Sequence, residues 1–208
     1  MGFYHHCVLP RVLDWACGLR VIEKQRRKVV PRVRGRVLEV GSGTGLNLRF
    51  YPEDANLQVV GLEPAAEMRE RARRRLDALR REGRDLEVEW VDASAEEIPA
   101  DDASFDTVLL TYTLCTIGQP QQALEEMRRV LRPGGRLVFC EHGAASDASV
   151  RRWQDRVDPL WRRVAGGCHL NRDVPGLIGG AGFAIDEIDK AYLPGWRPAT
   201  WNVWGTAR

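Results

Sequence analysis

Short apolar runs alternate with segments of helical periodicity along most of the chain. Runs of strand character end in glycine or proline at 36–43 and 57–64, and similar runs lie at 86–93, 105–112 and 135–143. Apolar positions recur every three or four residues at 65–79 and 120–131, and residues 44–51 fit a short helix. This alternation predicts an α/β fold with a parallel sheet and helices on both faces.

The pattern changes after residue 143. A helical stretch rich in Trp and Arg covers 149–165, and an irregular segment follows at 166–176. Two runs with alternating apolar positions lie at 183–193 and 199–207, joined by a turn that contains Pro and Gly. They predict a closing β-hairpin that is antiparallel to the rest of the sheet.

Three glycines, Gly41, Gly43 and Gly45, follow the first predicted strand, so a ligand can approach the backbone closely there. Neither phosphate-binding pattern fits, because no lysine follows the glycines and Leu46 occupies the third glycine position of the dinucleotide fingerprint. Glu39, just before the loop, would repel a pyrophosphate but would attract a positively charged nucleoside. The pattern therefore favours S-adenosylmethionine as the ligand.

Two further carboxylates end predicted strands. Glu63 ends the second strand, at the position from which an acidic side chain binds ribose hydroxyls in open α/β sheets. Asp92 ends the third, where it can accept a hydrogen bond from the adenine amino group, and Ala93 leaves room for the ring. Because consecutive parallel strands end at the same edge of a sheet, these groups are expected to line one crevice.

Composition narrows the class of protein further. A chain of 208 residues suits one domain, and a formal charge of +2 is too small to indicate nucleic-acid binding. No apolar run approaches the ~20 residues of a spanning helix, so we expect a cytoplasmic protein. No disulfide framework and no metal site are expected, because the cysteines are odd in number, scattered and without a C-x-x-C pair: Cys7, Cys17, Cys115, Cys140 and Cys168.

The segments EVGSGTG, GLEP, VDASAEEIP, FDTVLLTYTLCTI and EEMRRVLRPGGRLVFCEH resemble the class I S-adenosylmethionine-dependent methyltransferases over nearly the whole chain. Within that class the chain is similar to the methyltransferase-like thiol S-methyltransferases, through YTLCTI, FCEH, DPLW and GGCHLNR. The resemblance implies a Rossmann-like, doubly wound sheet of seven strands in the order 3-2-1-4-5-7-6, with strand 7 antiparallel. It also implies methyl transfer to a sulfur acceptor.

The loop, the strand ends and the resemblance together predict where the cofactor is held. The predicted contacts with S-adenosylmethionine are Glu39, Gly41, Ser42, Gly43, Thr44, Gly45, Asn47, Glu63, Pro64, Met68, Asp92, Ala93, Thr111 and Leu114.

The acceptor is expected beyond the ends of the fourth and fifth strands. Tyr112, Cys115 and His142 lie there and are the catalytic candidates. His142 is predicted to be a base or an acceptor-orienting group, because an imidazole titrates near neutrality. A thiol needs no strong base, since a few per cent of it is thiolate at neutral pH. An apolar acceptor pocket is predicted from Tyr4, Trp153, Cys168, His169 and Trp196.

Residues 1–35 are predicted to form an N-terminal helical lid, and residues 36–208 the methyltransferase domain. A basic amphipathic helix on a membrane surface is the alternative for the first segment, although its mixed pattern differs from the apolar anchor of animal members of the group. The predicted function is methylation of a small molecule, favouring a thiol in a detoxification-type reaction. Methylation of a quinone, an amine or a phospholipid headgroup stays open, as does a non-catalytic protein that binds the cofactor.

Overall fold

The computed structural model describes Asp14, residues 17–54 and residues 56–208. Its strands are β1 (Arg36–Val40), β2 (Gln58–Leu62), β3 (Glu87–Val91), β4 (Phe105–Thr111), β5 (Leu131–His142), β6 (Ile185–Tyr192) and β7 (Trp201–Ala207). Its α-helices are α1 (Arg20–Val29), α2 (Ala66–Arg81), α3 (Pro120–Val130), α4 (Ala148–Val164), α5 (Val174–Gly180) and α6 (Arg197–Thr200).

The strands form one sheet in the order β3-β2-β1-β4-β5-β7-β6. Strands β1 to β5 pair in parallel, and β7 is antiparallel to both β5 and β6. The predicted Rossmann-like order and the closing hairpin are therefore confirmed. The order reverses at β1, and at such a switch point the loops after β1 and β4 diverge and leave a crevice.

Helices cover both faces of this sheet. Successive strand residues face opposite sides, so Val37 belongs to one apolar core and Leu38 to the other. The Val37 side is closed by α1 and α2, and the Leu38 side by α3 and α5. Helix α3 begins with Pro120 in its first turn, where the missing N–H costs no hydrogen bond.

Residues 44–51 differ from the predicted helix. Only Leu48–Phe50 form a helical turn, of the 3₁₀ type. Gly43 and Gly45 have φ angles of +54° and +76°, which a right-handed helix cannot include. The prediction was wrong because these glycines keep the chain in a loop up to residue 47.

The described part of the predicted lid belongs to the folded body. Val29, Val30 and Val33 are buried in the core on the Val37 side. Residues 1–13, 15 and 16 lie outside the described residues, and the lid over 1–35 stays a prediction. Among the described helices, none has the length and apolar content that crossing a bilayer requires.

Candidate active site

Two adjoining cavities open where β1, β2 and β4 end. Their volumes are about 100 and about 250 Å³, and both are bounded by Gly41 and Thr113. The smaller lies between the glycine loop, α1 and the end of β4, and the larger lies beside Glu63 and the segment after β3. We call the two cavities together the crevice. A cavity of about 620 Å³ at the α3–β5 turn contains none of the predicted site residues.

The glycine loop is shaped to bring backbone against a ligand. Gly41 has a φ of +66°, and a Cβ there would lie 2.2 Å from Thr113 Cγ2, so only glycine fits. The Gly43 amide donates to Glu63 Oε2 at 3.0 Å, and the Ala65 amide donates to Glu63 Oε1 at 3.0 Å. Burial raises the pKa of Glu63. The carboxylate predicted to bind the ribose is thus fixed at the rim of the larger cavity.

A buried arginine from α1 enters the crevice. Arg26 Nη1 donates to Asn47 Oδ1 and to Thr111 Oγ1, each at 2.8 Å, and its guanidinium lies 5.1 Å from the centre of the Tyr112 ring. Arg26 Nε and Ser42 Oγ are buried and have no hydrogen-bond partner among the residues that the structure describes. A guanidinium N–H and a hydroxyl that lack partners at the loop fit the carboxylate of a bound amino-acid moiety.

Glu39 lies beneath the loop. It shares the sheet face of Val37, so its side chain points toward the segment at 47–51. Glu39 Oε1 accepts from Asn47 Nδ2 at 2.8 Å and Oε2 accepts from the Tyr51 hydroxyl at 2.6 Å. Burial raises the pKa of Glu39. Both oxygens therefore support the loop, and Glu39 does not line either cavity.

The other predicted cofactor residues divide into two groups. Asp92 is exposed and forms an ion pair with Arg69 at 2.6 Å, and Leu114 and Gly45 pack against the interior. In addition to Gly41, Gly43 and Glu63, six of the predicted residues line the crevice: Ser42, Thr44, Pro64, Met68, Ala93 and Thr111.

Three side chains meet beyond the ends of β4 and β5. The Sγ atoms of Cys115 and Cys168 and a ring nitrogen of His142 lie within 4.8 Å of one another, and we call this group the sulfur–imidazole cluster. Cys168 Sγ is 3.3 Å from His142 Nε2 and accepts from Trp161 Nε1 at 3.4 Å. The sequence predicts Cys115 and His142 as catalytic candidates and Cys168 as a pocket residue, and it gives no signal that the three side chains meet beside Trp161.

The cluster shifts the pKa values of its two thiols in opposite directions. The pKa of Cys168 is lowered to about 4, because the Cys115 thiol donates to its sulfur and the His142 ring adds a favourable charge. The same contact raises the pKa of Cys115 well above its usual value. Burial alone would lower the pKa of His142, but the facing Cys168 sulfur raises it.

Tyr112 and Glu141 border this group. Tyr112 has a φ of +53°, unusual for a residue with a side chain, and its hydroxyl donates to Asn202 Oδ1 at 2.6 Å. Burial raises the pKa of Glu141 to about 7. Glu141 Oε1 accepts from the Thr113 amide at 2.8 Å, whereas Oε2 has no hydrogen-bond partner within the described part of the chain.

The predicted acceptor pocket is only partly assembled. Trp196 lies 6.1 Å from Trp161, measured between ring centres, and the His169 amide donates to the Cys115 carbonyl at 2.9 Å. Trp153 is 55% exposed, with the Arg156 guanidinium over its ring, which does not favour a pocket role. Tyr4 lies outside the described residues.

Gln154 is a structural residue that the sequence did not reveal. It is fully buried, accepts from the Ala145 amide at 2.9 Å, and donates to the carbonyls of Gly143 at 2.9 Å and Pro198 at 2.8 Å. It thereby joins α4 to the segments after β5 and before β7. Like Arg26, it sits in an arginine-rich run of surface character, so its burial had no local signal.

A parallel sheet with a switch-point crevice, a bare loop after β1 and a fixed carboxylate after β2 defines a Rossmann-like protein that binds a nucleoside cofactor. Comparison with known proteins makes this specific. The family described as "Methyltransferase domain" matches residues 38–139. Thiol S-methyltransferase TMT1B of Homo sapiens is 32% identical over 200 residues, covering 90% of this chain and 80% of that protein.

Other relatives differ in the acceptor that their names specify. A demethylmenaquinone methyltransferase of Clavibacter sepedonicus is 36% identical over 129 residues, covering 62% of this chain and 50% of that protein. A solved SAM-dependent methyltransferase from Aquifex aeolicus has the same fold, with a TM-score of 0.65, 18% identity, and coverage of 95% of this chain and 97% of that one. The chain belongs to the class I S-adenosylmethionine-dependent methyltransferases, and S-adenosylmethionine is its methyl donor.

Proposed function

We propose that this enzyme transfers the methyl group of S-adenosylmethionine to the sulfur of a small thiol, in a detoxification-type reaction. The observation that best supports this proposal is the extent of the similarity to thiol S-methyltransferase TMT1B, which covers 90% of the chain. Coverage that wide must include most of 143–200, the part that builds the acceptor end. The quinone and phospholipid relatives leave more than a third of the chain unmatched, with coverages of 62% and 64%.

The residues around the crevice fit this cofactor. We assign the Gly41–Gly45 loop to the methionine portion, Glu63 to the ribose hydroxyls, and Arg26 with Ser42 to the carboxylate. Their support is the unpartnered Arg26 Nε and Ser42 Oγ and the double backbone anchoring of Glu63. The bound cofactor supplies a methyl group on a positively charged sulfur, which needs an aligned nucleophile and a dry pocket rather than a strong acid.

The acceptor must lose its proton before or during transfer, and the sulfur–imidazole cluster lies beside the crevice. Leu114 and Thr113 directly precede Cys115, and Thr113 bounds both cavities. We therefore assign the acceptor to the ends of β4 and β5, with Tyr112, Cys115 and His142 as the residues closest to it. Replacing His142 by Gln is expected to lower the rate of thiol methylation about tenfold or more.

A panel assay tests the proposal. Purified protein is incubated with labelled S-adenosylmethionine and with hydrogen sulfide, small alkyl and aryl thiols, a reduced quinone, an amine and phosphatidylethanolamine, and the products are identified by mass spectrometry. We expect methyl thioethers or methanethiol. At a limiting cofactor concentration, Gly41→Ala should strongly lower product formation and Gly83→Ala, at a left-handed but open position, should keep it, which excludes a contaminating enzyme.

Methylation of a quinone is the second candidate, because a demethylmenaquinone methyltransferase is 36% identical over 129 residues. Product from the reduced quinone with none from any thiol would replace the thiol proposal by this one. Cofactor binding by calorimetry with no product from the whole panel would favour a non-catalytic binding protein.

A further inference from the structure

The sulfur–imidazole cluster has the composition of a metal site. Its members come from three separate segments: Cys115 follows β4, His142 ends β5, and Cys168 lies between α4 and α5. Their three potential ligand atoms lie within 4.8 Å of one another. Two cysteine sulfurs and one imidazole nitrogen form a ligand set that zinc prefers among the common biological cations.

The spacing of the three atoms suits a tetrahedral ion. Zinc lies about 2.3 Å from sulfur and about 2.0 Å from nitrogen, so ligand atoms around it are separated by roughly 3.5–3.8 Å. Cys168 Sγ and His142 Nε2 are 3.3 Å apart, and no pair in the cluster exceeds 4.8 Å. Small side-chain rotations therefore suffice to close the group around one ion.

Neighbouring groups hold the ligands in place. The His169 amide donates to the Cys115 carbonyl at 2.9 Å, and Trp161 Nε1 donates to Cys168 Sγ at 3.4 Å. Asp158 Oδ1 accepts from the Leu170 amide at 2.8 Å, which fixes the turn that carries Cys168. Outer contacts of this kind orient ligands in metal sites and add to metal affinity.

The cluster is largely shielded from solvent and lies beside the crevice. Cys115 and Cys168 are 4% and 8% exposed, and His142 is the least buried of the three residues. Thr113, two residues before Cys115, bounds both cavities, and this places the cluster next to the crevice.

We propose that Cys115, His142 and Cys168 bind a thiophilic divalent cation, with Zn²⁺ as the best fit, and leave one coordination position open. Three protein ligands and a fourth position for water or substrate are the usual arrangement in catalytic zinc sites. If the proposed function holds, the open position takes the acceptor thiol. The acceptor's S–H bond would break on coordination and its proton would leave to solvent. The electron pair kept by the acceptor sulfur would form the new bond to the methyl carbon, while the bond from that carbon to the sulfonium sulfur breaks and its electron pair stays on the departing S-adenosylhomocysteine.

Metal uptake is measured first, without reference to activity. Freshly reduced full-length protein is loaded with Zn²⁺ or Co²⁺, freed of unbound ion, and analysed by elemental mass spectrometry and by cobalt–thiolate charge-transfer absorption. We expect one ion per chain in the wild type. Cys115→Ser, Cys168→Ser and His142→Gln should each weaken binding tenfold or more, about 1.4 kcal/mol.

Cys140→Ala is the matched control, because Cys140 is a buried cysteine of β5 outside the cluster. It should bind the ion as the wild type does. Calorimetry with S-adenosylhomocysteine checks that each variant is folded. The proposal is overturned if the wild type retains no ion, or if folded cluster variants bind the ion as tightly as the wild type.

A second arm separates this proposal from the proposed function. Adding a small thiol to the Co²⁺-loaded protein should change its absorption, and removing the ion with a chelator should lower thiol methylation at least tenfold until Zn²⁺ is restored. Full methylation by the metal-free protein refutes the metal's role and leaves the thiol function standing. An ion bound by the cluster with no thiol methylated leaves the metal site standing and refutes the thiol function.

Discussion

The cofactor crevice and the acceptor end are built in different ways. The crevice is formed largely by the backbone of one continuous loop, residues 41–45, with Glu63 tied to two backbone amides. The proposed acceptor end is formed by side chains from the segment after β4, from β5, from α4 and from the segment at 165–172, which are distant in sequence. The arrangement of these side chains depends on packing between elements. Substitutions there should therefore mainly lower stability, whereas substitutions in the loop should mainly lower cofactor affinity.

The largest effect is expected at Gln154. Its side chain holds together the segments beyond β5, whereas hydrogen bonds to backbone amides hold the crevice together. Gln154→Ala removes three hydrogen bonds and leaves buried partners unsatisfied, so the free energy of unfolding should fall by about 3 kcal/mol. Urea unfolding measures this. The exposed neighbour variant Arg152→Ala should change it by less than about 0.5 kcal/mol, and equal losses in both would contradict the assigned role.

Gly41→Ala tests the crevice in the corresponding way. The left-handed backbone costs about 1–2 kcal/mol for any other residue, and the added Cβ would lie 2.2 Å from Thr113 Cγ2. We expect the Kd for S-adenosylhomocysteine to rise about 100-fold, or about 2.7 kcal/mol, by calorimetry.

Gly83→Ala separates the cost of a left-handed backbone from the cost of a steric clash with the added Cβ. Gly83 has a φ of +88°, and nothing lies within 4 Å of its added Cβ. The same backbone penalty should therefore lower stability slightly and leave cofactor affinity unchanged. A similar loss of affinity in both variants would show that the effect at Gly41 is not local.

Arg26 tests whether a side chain from outside the loop contributes to the crevice. Arg26→Met keeps much of the apolar stem but removes the charge, and the Kd for S-adenosylhomocysteine should rise about 10- to 100-fold, the range for a charged hydrogen bond. Binding of 5′-methylthioadenosine, which has no carboxylate, should change little. Arg27→Met is the control, because the Arg27 side chain is 68% exposed. Equal losses for both ligands would assign Arg26 to loop support instead.

The smallest effect concerns the carboxylate under the loop. Burial raises the pKa of Glu39 from its usual 4.5, so the folded protein holds this proton more tightly than the unfolded chain. Stability should therefore fall as pH rises from about 4.5 through the raised pKa, with a slope below about 1.4 kcal/mol per pH unit. Glu39→Gln should remove that part of the slope in urea unfolding, and the exposed variant Glu125→Gln should keep it. An unchanged slope in Glu39→Gln would refute this.

Local patterns were sufficient for the sheet and for part of the crevice. The alternation of strands and helices, the antiparallel hairpin and the helix that begins at Pro120 agree with the prediction, because period and turn residues act within a few positions. The strand order agrees with what the resemblance to the methyltransferase class implied. Residues 44–51 were misjudged, since helical periodicity was given more weight than two glycines with positive φ. Glu39 was recognised as special, but its burial beneath Asn47 and Tyr51 depends on which sheet face α1 covers.

The sequence alone determined the class of protein, because glycines, strand-end carboxylates and apolar periods act through the backbone next to them. Only the tertiary structure decided which side chains meet beyond the ends of β4 and β5. Cys115 and Cys168 are 53 positions apart along the chain, and they meet because parallel strands end at one edge and α4 returns the chain across it. Contacts between such distant residues are set by packing geometry, which no local pattern records.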